Sequence, residues 1–345
     1  MQGMKFAYQQ EFDLNLRDEW NALLHESVSD VPFLQFDYLR VWWKHLGGGE
    51  WKEPVQLVII TAREGEKLVG IAPCFATHHE EKNCLMLLGS YEISDFLDFI
   101  VRAGDAPQFI QGLMGFVKDE LAESLKLEAL DFYNLLDQSP SLPLLQESAQ
   151  RQGWTAELTQ LQHSPYIRLS GDWETYLAGI DKKQRHEIRR KMRRADESEF
   201  PVAWHMVETE TQLNEEGETF LDLMYQDEDK QAFLTPQMRI QMKEIMRKAY
   251  ENGSLQLAFL TVNGSNAAAY LNFDYGNRIW VYNSGLDYDY MDFSPGWVLL
   301  GHLLRWANEN GKSEFDFMRG AEDYKYKFGA IDRFVMRMTI TLNGR

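Results

Sequence analysis

The feature that most constrains the fold is a strand, a helix and a second strand that follow one another between residues 277 and 318. Residues 277–286 and 314–318 are rich in β-branched and aromatic side chains and predict the two strands. The apolar residues between them recur at helical spacing: Trp297, Leu300, Leu304 and Ala307. Gly311 is a typical helix stop. This order predicts an α/β sheet, in which ligands usually bind at the strand ends.

The start of the helix has the properties of an anion site. Ser294 is a good N-cap, Pro295 suits the first helical position, and Gly296 lets another group approach the backbone closely. The first N–H groups of a helix are unpaired and lie at the positive end of its dipole, so such a start favours phosphate or pyrophosphate. The alternative is an ordinary, well-capped helix without a ligand.

Two further predicted strands precede this unit. Residues 255–262 and 267–275 flank Asn263-Gly264, a dipeptide typical of hairpin turns. The predicted order is therefore two helices, a hairpin, a third strand, a helix, a strand, a short polar helix and a final strand at 333–342.

This order and several short motifs resemble the GNAT acyltransferases. The motifs are Ser294-Pro295-Gly296, Phe315-Asp316-Phe317, Arg319-Gly320, Glu322 and Tyr324-Lys325. Within that superfamily they resemble the CelD-like, cellulose-biosynthesis acetyltransferases, which are related to the FemABX aminoacyltransferases. The resemblance implies an α/β protein of two tandem GNAT-like lobes, each a mixed, mostly antiparallel sheet flanked by helices.

The resemblance also implies a donor. In GNAT proteins the loop and helix start after the fourth strand hold the pyrophosphate of acyl-CoA, and acetyl-CoA is the first candidate here. The corresponding cofactor-binding residues are Ser294, Pro295, Gly296, Trp297 and Val298. The usual Arg/Gln-x-x-Gly-x-Gly/Ala signature is missing from this chain, and only the Gly296 region stands in for it.

The polar segment from Asp316 to Lys325 is the expected catalytic group. Acyl transfer needs a positioned thioester, removal of the acceptor's proton and stabilisation of an oxyanion. We expect Asp316 or Glu322 to be the general base, Tyr324 an acid to the leaving thiolate, and Lys325 with Arg319 a source of positive charge. If residues 321–328 are helical, Glu322 and Lys325 share a face, and a surface Glu–Lys ion pair is the alternative.

An aspartate at the exit of the preceding strand adds a substrate-binding candidate. Asp287 follows Gly285-Leu286 and matches the pattern of the resembled family. It could orient the acceptor, and a turn-forming aspartate with a purely local role is the alternative.

An internal repeat predicts two lobes. The 345 residues exceed what one hydrophobic core usually organises. Pro107 and Pro295 each open a predicted helix, and they are 188 residues apart. Asp131 and Asp316 each lie in the strand predicted after that helix, and they are 185 residues apart, so the two offsets are nearly equal. We predict an N-terminal lobe at 1–170 and a catalytic lobe at 171–345. Coincidence between common strand–helix–strand units is the alternative.

The N-terminal lobe is expected to be degenerate. Residues 105–108 contain no glycine that matches Gly296, and the Arg-Gly-x-Glu-x-Tyr-Lys pattern does not follow residues 130–132. Its expected task is to wall off the acceptor site, with Asp95 and Asp98 as polar candidates beside Ser94. The two aspartates share a face only if their segment is helical, and a strand end with solvated carboxylates is the alternative.

A basic segment stands out in a chain of formal charge -18. Residues 182–194 hold eight Lys or Arg and one acid, Glu187, while an apolar stripe at helical spacing predicts an amphipathic helix. Its counter-charges could be phosphates of a cofactor or substrate, anionic lipid, RNA, or the protein's own carboxylates. The global charge opposes a long polyanion, so we expect no DNA partner and disfavour tRNA.

Other chemistries find little support in the sequence. Its eight histidines and two cysteines, Cys74 and Cys84, show no metal-ligand spacing, so we expect no metal. The chain has no Walker A, GxGxxG or GxSxG motif. No segment approaches the roughly 20 apolar residues that span a bilayer, and the first residues lack the apolar run of a signal peptide. We therefore expect a cytoplasmic protein without integral membrane association.

The predicted function is transfer of an acetyl or other acyl group from acyl-CoA. The acceptor would be an amine or hydroxyl of a small molecule or of a glycan or cell-envelope precursor. Two alternatives stay open: a FemABX-like aminoacyltransferase that uses aminoacyl-tRNA, and a non-catalytic GNAT-like partner in polysaccharide biosynthesis.

Overall fold

The computed structural model describes residues 3–52 and 54–342, which form two compact units. The first comprises the residues up to Gln162 together with those from Phe334 onward, and the second spans His163–Arg333. The first boundary thus falls eight residues before the expected division between residues 170 and 171, and the last strand of the chain returns to the first unit. Within the described residues, no helix is long and apolar enough to cross a membrane.

The first unit is built on a mixed sheet with helices. Its strands are β1 (Lys5–Gln9), β2 (Val55–Glu64), β3 (Lys67–His79), β4 (Lys82–Leu87), β5 (Ile100–Val101), β6 (Ala129–Leu136) and β7 (Thr155–His163). Its helices are α1 (Arg17–His25), α2 (Phe36–Gly49), α3 (Ala106–Phe116) and α4 (Ser141–Arg151). The sheet runs in the order β1-β2-β3-β4-β6, then the last strand of the chain, then β7. β4 and β6 are parallel, with α3 between them in the chain.

The second unit repeats this plan. Its strands are β8 (Tyr166–Arg168), β9 (Val202–Met206), β10 (Leu255–Val262), β11 (Ser265–Tyr275), β12 (Arg278–Leu286) and β13 (Glu314–Asp316). Its helices are α5 (Trp173–Gly179), α6 (Lys182–Asp196), α7 (Glu210–Tyr225), α8 (Glu228–Phe233), α9 (Pro236–Glu251), α10 (Pro295–Glu309) and α11 (Asp323–Lys327). The sheet order is β8-β13-β12-β11-β10-β9.

The hairpin and the strand–helix–strand unit are confirmed. β10 has the predicted bounds, and Asn263 and Gly264 turn the chain with φ of 51° and 81°. This pair of positive φ values is what a two-residue hairpin of this type demands. Gly311 ends α10 at φ 68°, and β12 pairs with β13 in parallel.

The internal repeat is confirmed by equivalent registers. In the first unit Met86 lies opposite Asp131 across the parallel pair β4 and β6, and in the second Trp280 lies opposite Asp316 across β12 and β13. Both parallel pairs follow an antiparallel meander of three strands. The two lobes therefore share one topology, which is the predicted fold class.

The last strand is a correction to the sequence prediction. β14 (Phe334–Thr341) was expected to close the second lobe, but it pairs antiparallel with β6 of the first sheet. The corresponding place beside β13 is filled by β8. Arg337 of β14 also binds Asp131 of β6 through two hydrogen bonds of 2.8 Å. Backbone pairing and a buried ion pair thus hold the strand in the first unit.

Two glycines set how closely helices pack in the second unit. A Cβ on Gly285 of β12 would lie 2.6 Å from the backbone nitrogen of Met224 in α7. A Cβ on Gly301 of α10 would lie 2.8 Å from the sulfur of Met192 in α6. The apolar stripe of α6 is buried here as predicted, with Ile188, Met192 and Ala195 in the core. The basic helix therefore lies directly against α10.

Candidate active site

The site lies where β12 and β13 separate. The two strands pair over three residues each, Arg278–Trp280 with Glu314–Asp316, and β12 then continues to Leu286 paired with β11. A bulge at Tyr282 interrupts its pairing with β11. Bulges bend a strand and re-aim its side chains, and they are frequent next to active sites. Beyond this point β12 borders a cavity of about 320 Å³.

The cavity wall combines five elements of the second unit. It is lined by Lys191 of α6, Tyr270 of β11, Ser284 and Leu286 of β12, Met291, Ser294, Pro295, Gly296, Trp297 and Leu300 at and before the start of α10, and Tyr324 of α11. Four of the five residues expected to hold a cofactor are therefore brought together at one cavity. The fifth, Val298, is fully buried in the core and does not line it.

The start of α10 presents unpaired backbone donors. The N–H of Val298 bonds to the carbonyl of Ser294 at 3.0 Å, and Pro295 has no N–H. The N–H groups of Gly296 and Trp297 find no acceptor among the residues that the structure describes. Ser294 occupies the N-cap position as expected, but it adopts φ 51° and ψ 50°, and its side chain makes no capping hydrogen bond. Two donors at a helix start thus remain for an anion.

Gly296 is required by packing as well as by access. A Cβ at this position would lie 2.8 Å from Cδ2 of Leu286, so the glycine makes room for the end of β12. The side chain of Leu286 therefore occupies part of the space beside Gly296 through which a ligand was expected to approach the backbone. The cavity still borders Gly296.

Two tyrosines that line the cavity, Tyr270 and Tyr324, both have raised pKa values. Burial raises the pKa of Tyr324 well above its usual range, and Tyr270 and Glu322 add to the shift. Burial likewise raises the pKa of Tyr270, with a smaller contribution from Glu322. Phe317 packs edge-on against Tyr324 with ring centres 6.0 Å apart. Both cavity-lining phenols are thus neutral hydrogen-bond donors at physiological pH.

Lys325 holds a loop together. Its ammonium donates to the carbonyls of Arg319 at 2.8 Å and Gly320 at 3.0 Å and lies 2.8 Å from Oε2 of Glu322. The side chain is only 3% exposed. An ammonium has three N–H donors, so these contacts match its capacity. This arrangement favours a loop-stabilising role for Lys325 over the catalytic role as a source of positive charge that the sequence suggested.

The neighbouring residues of the motif serve the same loop. Gly320 has φ 106°, and a Cβ there would lie 2.5 Å from Oε2 of Glu322. Glu322 precedes α11, and its side chain remains 57% exposed. Its charge contributes to the raised pKa values of Tyr270 and Tyr324, although Glu322 is not among the residues that line the cavity. Glu322 is therefore better placed than Lys325 to meet a substrate.

Asp316 lies in the core of the second unit and not at the cavity. Its carboxylate is fully buried, forms an ion pair with Arg333 and accepts the N–H of Met318 at 2.8 Å. Arg333 also lies over the ring of Tyr166, 4.5 Å from its centre. Asp316 is not among the residues that line the cavity. The structure thus gives this aspartate a partner in the core, which does not favour the expected role as base.

The substrate-binding candidates have local partners. Asp287 precedes a 3₁₀ turn and accepts the N–H of Asp289 at 3.0 Å, which is the turn-forming alternative. The segment around Asp95 and Asp98 is not helical, so the two carboxylates do not share a helix face. Asp98 is fully buried and accepts hydrogen bonds from three serine hydroxyls, those of Ser29, Ser139 and Ser141.

Two lysines near the site were missed by sequence reasoning. Lys191 lines the cavity, with its Nζ 4.2 Å from the ring centre of Trp297. Lys230 of α8 donates to the carbonyl of Ser284 at 2.5 Å, and burial lowers its pKa. Lys191 follows Ile188 by three residues, so its place beside the buried stripe of α6 was visible in the spacing. No local pattern marked Lys230.

One group of side chains has the composition of a metal site. Ligand atoms of His79, Glu80 and Asp131 lie within 4.8 Å of one another in the first unit. Arg337 already bonds to both carboxylates, at 2.6 Å to Glu80 and 2.8 Å to Asp131. Its guanidinium lies 4.4 Å from the ring centre of Tyr133. The acids thus have an internal cation, and the donor set fits an ion pair better than a metal.

The comparisons with known proteins agree with this architecture. A sequence family described as acetyltransferase (GNAT) domain matches residues 182–326, the range that contains the cavity. A comparison with curated proteins gives no significant match.

Solved structures with a similar fold cover almost the whole chain. FemX superposes with a TM-score of 0.68 at 11% identity, over 95% of this chain and 96% of FemX. A conserved protein of unknown function from Bacteroides thetaiotaomicron gives 0.60 at 14% identity, over 98% and 100%. A tandem GNAT protein from the clavulanic acid biosynthesis pathway gives 0.50 at 12% identity, over 99% of each chain. Residues 182–326 therefore match a GNAT acetyltransferase domain, and the chain has the fold of two GNAT-like lobes in tandem, similar to the folds of FemX and of the tandem GNAT protein.

Proposed function

We propose that the protein transfers an acyl group from acyl-CoA, with acetyl-CoA as the first candidate, to an amine or hydroxyl. The acceptor class is a small molecule or a glycan or cell-envelope precursor, in keeping with the CelD-like resemblance. One observation carries the proposal: a single cavity joins the unpaired N–H groups of Gly296 and Trp297 to the neutral phenol of Tyr324.

The donor would lie along the cavity with its diphosphate at the start of α10. Backbone N–H groups and the helix dipole favour negative charge there. The thioester would then reach towards Tyr324 and Tyr270 on the far wall. The separation of β12 and β13 provides the opening, because no strand among the described residues pairs with this edge of β12 after Trp280.

Glu322 is the proposed general base. The acceptor nitrogen or oxygen attacks the thioester carbon, its proton passes to the Glu322 carboxylate, and the C–S bond breaks. A carboxylate that is half exposed can take up that proton and release it to water. Arg319 stays a proposed electrostatic group, and Asp287 stays a proposed acceptor contact.

Tyr324 is better suited to donate a hydrogen bond than to give up its proton. A thiol titrates near 8.5, so a phenol with a pKa well above 10 transfers its proton to a thiolate unfavourably. A hydrogen bond from a neutral phenol stabilises the developing thiolate without that transfer. The thiolate then takes its proton from solvent, and the overall balance of protons is met.

Titration of the purified protein with acetyl-CoA tests the proposal. Wild-type protein should bind, and Gly296→Glu should lose binding, because it adds a negative charge and bulk at the anion site. Gly179→Glu is the matched control, since a Cβ at that helix end meets no atom within 4 Å. Failure of the wild type to bind any acyl-CoA, or undiminished binding by a folded Gly296→Glu protein, would contradict the proposal.

Aminoacyl transfer is the second candidate, and the exposed face of α6 favours it. Lys182, Lys183, Arg193 and Arg194 are exposed there, and their side chains have no acid partner among the described residues. Four clustered cations can bind a nucleic-acid backbone. This candidate would be favoured if the protein bound aminoacyl-tRNA with an affinity that falls steeply with salt and did not bind acyl-CoA. A protein that binds neither would fit the non-catalytic alternative.

A further inference from the structure

Lys191 differs from the other cations of α6. Among them, it alone lines the cavity in the part of the chain that the structure describes, and its side chain is only 22% exposed. Arg189 pairs with Glu174, and Arg190 forms two hydrogen bonds of 2.8 Å with Glu187. Lys191 lies 3.9 Å from Glu187, a carboxylate that Arg190 already engages. Its ammonium is thus largely withdrawn from water without a close acid of its own.

The packing of α6 on α10 brings Lys191 to this position. Met192 fills the space left by the missing Cβ of Gly301, so the two helices approach closely. Trp297 lies one helical turn before Gly301, and Lys191 is the neighbour of Met192. The Nζ of Lys191 consequently rests 4.2 Å from the centre of the Trp297 ring. The cation and the unpaired N–H of Trp297 both belong to the wall of one cavity.

A partly buried cation whose nearest acid, Glu187, is 3.9 Å away and already bound by Arg190 can accommodate a further counter-charge. Burial lowers the pKa of Lys191, with Arg190 and Lys327 acting in the same direction and Glu187 against them. The ring of Trp297 compensates part of the lost hydration through its π face. It accepts none of the three N–H bonds in the way an oxygen would, so the ammonium retains capacity for an anionic ligand.

We infer that Lys191 is a donor-binding residue that recognises phosphate, and that it supplies from α6 the positive charge that the missing Arg/Gln-x-x-Gly-x-Gly/Ala signature does not provide. This inference rests on the proposed function and deepens it. The donor would be a thioester that carries a diphosphate, held by Lys191 together with the N–H groups of Gly296 and Trp297. A thioester without phosphate would gain nothing from Lys191.

The test compares two donors that differ in phosphate. Acetyl-CoA carries the thioester arm and the phosphates, and S-acetylpantetheine carries the arm alone. Their affinities are measured by calorimetry for wild type, Lys191→Met, Lys191→Gln and Lys191→Arg. Lys183→Met is the matched control, because Lys183 is an exposed cation of the same helix and does not line the cavity.

The inference predicts a selective loss. A hydrogen bond to a charged group contributes about 1.5–3 kcal/mol, so Lys191→Met and Lys191→Gln should weaken acetyl-CoA binding by roughly 10- to 100-fold. Lys191→Arg should stay within a few-fold of wild type, Lys183→Met should be unchanged, and S-acetylpantetheine should bind all variants equally. Thermal unfolding of each variant confirms that the comparison is made between folded proteins.

Two results would overturn the inference alone, and a third would overturn the proposed function as well. Unchanged acetyl-CoA affinity in a folded Lys191→Met or Lys191→Gln protein would overturn the inference and leave the proposed function standing. An equal loss for both donors would also overturn it, since Lys191 would then support the cavity wall rather than bind phosphate. Failure of the wild type to bind acetyl-CoA would overturn the proposed function and the inference together.

Discussion

Replacement of Lys325 by methionine should destabilise the second unit by about 2–4 kcal/mol. The substitution keeps the volume of the buried side chain and removes its ammonium. The carbonyls of Arg319 and Gly320 then lose the donor that they share. Each unpaired carbonyl costs about 1–2 kcal/mol, the lower part of the usual range, because both residues are partly exposed and water can reach them.

Glu322 adds little to this loss. Its carboxylate is 57% exposed and regains water when the ammonium is removed, so its share stays below about 1 kcal/mol. For a unit of about 170 residues, each kcal/mol lowers Tm by roughly 2–4 °C. The expected shift is therefore roughly 5–15 °C.

Thermal and chemical unfolding of Lys325→Met measure this loss directly. Lys327→Met is the matched control: its side chain is 44% exposed and lies 4.0 Å from Asp323, so the change should stay within about 0.5 kcal/mol. Glu322→Gln should likewise leave stability almost unchanged. A Lys325→Met protein as stable as the Lys327→Met control would refute the loop-stabilising role, and a catalytic role for Lys325 would then regain support.

Three further predictions concern the strand, the phenol and the donor site. Gly285→Ala should cost about 1–3 kcal/mol in chemical unfolding, because its Cβ would meet the backbone of α7 at 2.6 Å; a stability equal to wild type would show that the two elements can separate freely. Tyr324→Phe should retain acetyl-CoA binding and lower the turnover rate roughly 100-fold. Tyr326→Phe, at a residue that does not line the cavity, should leave the turnover rate almost unchanged. Equal turnover rates for the two variants would remove Tyr324 from the mechanism. Acetyl-CoA affinity should fall as the pH rises through the pKa of Lys191, because the ammonium is present only below that pKa, and burial places it below its usual 10.5. Lys191→Arg should abolish this pH dependence. A wild-type affinity that stays constant up to pH 10.5 would contradict the prediction.

Features that depend on neighbouring residues were predictable from the sequence. The bounds of β10, the turn at Asn263-Gly264 and the buried stripe of α6 all follow from local spacing and turn chemistry. The repeat was visible because Asp131 and Asp316 occupy the same register in two copies of one topology. In each of these features the local preference and the tertiary structure agree.

Features that depend on distant partners were not predictable. The pairing of β14 with β6 joins segments about 200 residues apart, and no local pattern specifies that choice over closure of the second sheet. The spacing of Glu322 and Lys325 indicated an ion pair but not that the ammonium is buried beneath two carbonyls. Asp316 carries the charge of a general base, and only the fold reveals that Arg333 neutralises it in the core.

A crystal structure of the protein with bound CoA would show the donor site itself. We predict that the diphosphate lies at the N–H groups of Gly296 and Trp297 with Lys191 beside it, and that the sulfur lies within hydrogen-bond distance of the Tyr324 hydroxyl. CoA bound elsewhere, or bound in this cavity with its diphosphate away from the start of α10, would contradict this assignment of the donor site.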